Sequence, residues 1–85
     1  MQVTILYFAG LRETLQTSGE TVQLPEQVGT AGALRDWLVA RGSPYAEALA
    51  AGKAVRMSVE QAMAEDGTPL SEGAEVAFFP PVTGG

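Results

Sequence analysis

Apolar residues crowd into two short stretches near opposite ends of the chain. Val3, Ile5, Leu6, Tyr7 and Phe8 are apolar on both alternating faces of residues 3–8, with Thr4 the only exception. That pattern predicts a strand covered on both sides. Residues 75–79 repeat it, with Val76 and Phe78 on one face against Ala77 and Phe79 on the other. Pro80-Pro81 ends this last strand, because proline has no N–H to give to a ladder. Two strands apolar on both faces belong at the centre of a sheet as neighbours.

Between them the pattern changes period. Gly10 marks a break, and 11–15 reads as an irregular or turn segment leading to a turn at Ser18-Gly19. Residues 21–24 alternate and are closed by Pro25, which predicts a second strand hairpin-paired with the first. Thr30 can cap a helix over about 31–41, followed by Gly42 where a left-handed residue is wanted. Leu34, Trp37, Leu38 and Arg41 follow helical spacing, and Trp37 is expected to be the largest contributor to the core. Ser43-Pro44 repeats a helix-start signal, predicting a short helix over 45–51 ended by Gly52. Two short runs, 55–59 and 61–64, precede turn clusters at 65–69 and 71–73.

The order ββαβ(β)β predicts an α+β fold of the β-grasp arrangement: a mixed four- to five-stranded sheet with one main helix and one or more short helices. Residues 1–81 are expected to form the domain and 82–85 a flexible C-terminal Gly-Gly tail. One main helix covers one face of the sheet only. The other face is left with Leu6 and Phe8, or their alternates, together with Ala77 and Phe79 as an exposed apolar patch.

Composition narrows the chemistry. Eighty-five residues, 46% of them hydrophobic, suffice for one core and not two. There is no cysteine and no histidine, so thiol nucleophiles, thiolate metal sites and Ser-His or Cys-His pairs cannot be built from this chain. Ten acidic against five basic residues give a formal charge of −5, with Arg12, Arg35, Arg41, Lys53 and Arg56 scattered along the sequence. That balance argues against nucleic acid and favours a basic protein partner. No apolar run approaches membrane-spanning length and the N-terminus lacks a signal-peptide pattern, so a cytoplasmic protein with no membrane association is expected.

Few residues then remain as candidates for function. Gly29-Thr30-Ala31-Gly32 could offer a helix N-terminus to an anion, but it lacks phosphate-loop spacing and reads better as the start of the helix. Glu65-Asp66 beside Gly67 reads as a turn. The tail is different. Pro80-Pro81 launches the chain off the sheet in extended form, and 82–85 span about 13 Å when extended, enough to reach a buried site on another protein. Gly84-Gly85 has no side chains to obstruct a narrow channel, and a terminal carboxylate can carry an activated acyl group.

These residues resemble the ubiquitin-like sulfur carriers, and among them the small subunit of molybdopterin synthase. The resemblance spans the whole chain and rests on the order of elements, on Phe8-Ala9-Gly10-Leu11-Arg12-Glu13, and above all on the terminal "VAFFPPVTGG". It implies that an E1-like activating enzyme uses ATP to adenylate the carboxylate of Gly85. A sulfur donor protein then converts it to a thiocarboxylate. The tail, with Gly84 as the steric companion of Gly85, enters the active site of the large synthase subunit and donates sulfur to cyclic pyranopterin monophosphate, in a heterotetramer. Catalytic residues would belong to the partner, and no cofactor would be bound by this chain. The resemblance places Phe8, Met63 and Phe79, with Pro80, Pro81, Val82 and Thr83, on the partner-facing side. A thiamine-pathway or other sulfur carrier, or a ubiquitin-like protein modifier, remains the alternative; Lys53, the sole lysine, makes a chain-building modifier less attractive.

Overall fold

The computed structural model describes residues 1–81. Five strands form one mixed sheet: β1 (Gln2–Tyr7), β2 (Gly19–Gln23), β3 (Arg56–Val59), β4 (Ala62–Ala64) and β5 (Glu75–Phe79), in the order β2-β1-β5-β3-β4. β1 and β5 run parallel at the centre, with Ile5 opposite Val76 and Tyr7 opposite Phe78. The remaining pairs are antiparallel. The two stretches that were apolar on both faces are therefore the two inner neighbours, in the β-grasp arrangement.

Val3, Ile5, Tyr7, Val76 and Phe78 point to one side, where they meet Ala31, Leu34 and Leu38 of α2 (Ala31–Val39) in a single buried cluster. Trp37 does not sit at the centre of this core; it is half-buried at its margin. The buried stripe of α2 runs 31–34–38, and Trp37 lies about 100° around the helix from Leu38, on the flank. There the Arg41 guanidinium lies 5.4 Å from its ring centroid.

Residues 11–15, expected as irregular, form a short helix, α1 (Gly10–Leu15). Leu11 and Leu15 are one turn apart, and burying both outweighs the brevity of the segment. Gln16, in the left-handed region at φ 57°, stops it. The second expected short helix is also shorter than its sequence signal: α3 spans Tyr45–Ala48, not 45–51. Ser43 does not cap it, and its hydroxyl instead donates to Glu47 Oε1 at 2.6 Å. Pro44 occupies the cap position rather than the first helical one. The chain unwinds past Ala48 because Arg35 of α2 claims its carbonyls. Nε donates to Leu49 O at 2.7 Å, and Nη2 to Ala50 O at 2.7 Å and Lys53 O at 3.0 Å.

The start of α2 is closed off by the protein itself. Thr30 Oγ1 accepts from the Ala33 N–H, while the N–H groups of Ala31 and Gly32 donate to Thr68 O and Asp66 O at 2.9 Å. With Leu34 N–H donating to Thr30 O, the N–H groups of residues 31–34 are all engaged, which favours reading Gly29-Thr30-Ala31-Gly32 as a helix start. Gly32 is required here: a Cβ would lie 2.8 Å from Asp66 Cβ and 3.0 Å from its Cα and O. Gly32→Ala is expected to push the 65–68 turn away and lower folding stability by about 1–3 kcal/mol, read as a shift in the urea midpoint.

Candidate functional site

The sheet face opposite α2 is uncovered among the described residues. Strand alternation puts Leu6 and Phe8 on it from the first strand, Ala77 and Phe79 from the last, Ser58 from β3 and Met63 from β4. Register gathers them, since Leu6 is opposite Ala77, Ala77 opposite Ser58, and Ser58 opposite Met63. With Gln61 and Glu75 they line a shallow groove of about 380 Å³. Phe8 is 45% exposed and Met63 62%, the two large apolar side chains most open to solvent among the described residues. Ala77 is only 7% exposed and forms the floor of the groove, not its rim.

Three of the residues singled out in the sequence, Phe8, Met63 and Phe79, are thus brought together from three separate parts of the chain. Pro80 is not with them. It continues the strand alternation onto the helix side, where it lines a second hollow with Leu11, Thr14, Ala48, Lys53 and Val55. Pro80 and Pro81 are both half-buried. Val82, Thr83, Gly84 and Gly85 lie outside the described residues.

Phe8 is held firmly. Its N–H donates to Phe78 O at 3.1 Å, and its carbonyl accepts from the Leu11 N–H at 3.2 Å, so it joins the end of the central strand pair to α1. Ala9 makes the corner in a positive-φ conformation, φ 53° and ψ −130°. Met63 is positioned by the β3–β4 hairpin, whose corner residues Glu60 and Gln61 both take positive φ, 51° and 66°, as a two-residue hairpin of the primed type demands. Glu60 also secures this corner to the last strand, its Oε1 accepting from the Glu75 N–H at 3.0 Å.

Beneath the tail end of the sheet lies a polar cluster with no counterpart in the sequence reading. Glu20 accepts hydrogen bonds from the Tyr7 hydroxyl (2.9 Å), the Tyr45 hydroxyl (3.1 Å) and Arg41 Nη2 (3.1 Å). Arg41 lies 4.6 Å from the Tyr45 ring centroid, and the Tyr7 ring stacks on Phe78 with centroids 6.1 Å apart. Burial pushes the Glu20 carboxyl up, but the bonds from Arg41, Tyr7 and Tyr45 outweigh it and hold the group below its ordinary 4.5. Burial first, and then the bond to Glu20, raise the Tyr7 phenol far above its usual range, and the same two causes raise Tyr45.

A carboxyl whose pKa is lowered by folding stabilises the protein above its ordinary value, and that contribution disappears as pH falls through the lowered value. Wild-type stability should therefore fall as pH drops through and below the ordinary 4.5 of this carboxyl. Glu20→Gln should cost about 2 kcal/mol at neutral pH and flatten the acid limb. Urea unfolding across that range checks both, and an unchanged acid limb would remove Glu20 as its source.

The model of the ThiS family matches residues 5–85, and the chain belongs to that family. In sequence it is similar to the molybdopterin synthase sulfur carrier subunit of Escherichia coli, 39% identical over 83 residues that cover 98% of this chain and 99% of the relative. It is also similar to the Haemophilus influenzae protein of the same name, 36% identical with the same coverage. In fold it is similar to a chain in the protein–protein complex of subunits 1 and 2 of molybdopterin-converting factor from Helicobacter pylori, with a TM-score of 0.68, 20% identity and complete coverage of both chains.

Proposed function

We propose that this chain is the sulfur carrier of a molybdopterin synthase. One observation carries the reading: the apolar groove of Phe8, Met63 and Phe79 lies at the end of the sheet from which Pro80-Pro81 leads to Gly84-Gly85. Such a groove is a docking face in search of a partner. Set beside the root of a tail that ends in two residues without side chains, it allows one partner to hold the domain and receive the carboxylate together. The two relatives with this name support the assignment along the whole length of the chain.

The chemistry follows from the terminal carboxylate. An E1-like enzyme joins it to the adenylyl group of ATP with release of pyrophosphate. The persulfide of a sulfur donor protein then displaces AMP to form an acyl disulfide, and a second thiol cleaves its S–S bond, leaving the thiocarboxylate and a disulfide. Docked on the large subunit, the thiocarboxylate gives its sulfur to cyclic pyranopterin monophosphate, and hydrolysis returns the carboxylate. Phe8, Met63 and Phe79 hold the partner, while 80–83 span the distance to its active site. This chain binds no cofactor of its own, the catalytic residues are the partner's, and the whole sequence runs in the cytoplasm.

The test is intact-mass measurement after incubation with ATP, the activating enzyme and a sulfur donor, followed by addition of the large subunit and pterin precursor. Replacement of one terminal oxygen by sulfur, then its loss as molybdopterin forms, is the expected result. A terminus that gains sulfur but never passes it to the pterin would assign the chain to another sulfur pathway.

A further inference from the structure

Resting on that reading, we propose that the docking face is electrically polarised along its strands, so that the partner must present a carboxylate at the mouth of the cleft that takes the tail and a basic group about 13 Å away. The register fixes both ends. Arg56 is the cross-strand partner of Phe79. Met57 beside it is buried in the core and Ser58 lines the groove, so alternation puts Arg56 on the open face with Phe79. At the far end, four residues back along the last strand, Glu75 lines the same groove. Glu60, exposed, adjoins it through the bond to the Glu75 N–H.

The basic residues that are scattered in the sequence divide in two in the fold. Arg41 is committed to Glu20 and Arg35 to backbone carbonyls. Arg12, Lys53 and Arg56 are exposed, with no carboxylate in ion-pair contact among the described residues. All three lie at the tail end: Arg12 on α1, Lys53 in the hollow lined by Pro80, Arg56 beside Phe79. Glu13 and Glu47 share that end, leaving it slightly basic on a chain that carries −5 overall. The apolar groove is open and shallow and distinguishes poorly between a domain docked one way and the same domain rotated end for end. A positive charge at one end and negative charges at the other distinguish them, because the reversed pose sets like charges against each other. Only one pose points Pro80-Pro81 at the cleft.

Association of the full chain with its large subunit, followed by stopped-flow at low and high salt, tests this. Wild-type association should slow as salt is added. Arg56→Glu and Glu75→Lys should each slow it about tenfold at low salt, and Arg56→Leu, which keeps the face apolar, should weaken the salt dependence. Glu26→Lys changes net charge by the same amount as Glu75→Lys, but its exposed site in the 24–30 loop is outside the groove, so it should leave the rate near wild type. Arg56→Glu associating as fast as wild type would overturn the inference, as would Glu26→Lys having the effect of Glu75→Lys. If instead Phe79→Arg also leaves binding intact, the docking reading itself is what has failed.

Discussion

Deleting Gly85 should abolish sulfur transfer while leaving folding stability within about 0.5 kcal/mol of wild type. The expectation rests on reach. Each extended residue spans about 3.3 Å, so the deletion withdraws the carboxylate by that distance from wherever the partner's catalytic groups await it. A misplacement of about 1 Å can cost about a hundredfold in rate, and more than three times that displacement leaves no productive geometry. The domain is indifferent to the change, because the core is complete within Val3 to Phe78. Two measurements separate the effects: thermal unfolding, expected to be unchanged, and molybdopterin formed per carrier, expected to fall to background. A deleted chain that still supported synthesis would end the carrier reading.

Phe79→Arg should weaken binding to the large subunit by at least about 30-fold, the loss of roughly 2 kcal/mol typical of an aromatic anchor at an interface centre. Phe79 is a half-buried side chain on the open face, so the fold loses little when it is replaced. One local penalty is foreseeable. Arg56 lies directly across the strand pair, and two like charges in register are destabilising by up to about 1 kcal/mol. Phe79→Glu avoids this by facing Arg56 with an opposite charge. Both variants should fold, and neither should co-purify with the large subunit. If both do, the groove is not the docking face.

The sequence displayed the centre of this fold more clearly than its margins. Residues 3–8 and 75–79 were legible because two-sided apolarity marks strands with neighbours on both edges. α2 covers only one of their faces, and the other is the open groove, not the covered side that the pattern predicted. α1 was hidden by its length: Leu11 and Leu15 carry the right spacing, but six residues beginning at glycine are too few for periodicity to stand out. Trp37 misled because size was read as depth, whereas the line Ala31-Leu34-Leu38 defines the buried face. Glu20 could not be seen at all. Its partners Tyr7, Arg41 and Tyr45 stand 13, 21 and 25 residues away, so the cluster exists only once the chain is folded. Arg56 is a similar case, ordinary in sequence and significant through its register with Phe79.

The parallel pairing of β1 with β5 joins the second residue's neighbourhood to the seventy-fifth's, and this governs how the molecule is made. Until Glu75–Phe79 has emerged from the ribosome, β1 has only one edge partner and β3 lacks its link to the rest of the sheet. Closing so long a loop is slow compared with forming local helices. A nascent or truncated chain therefore exposes the edge of β1 around Ile5 and the underside of the core rather than a finished groove. The docking face and the strand that delivers the tail are completed in the same event, so an unfinished carrier offers its partner neither surface nor substrate.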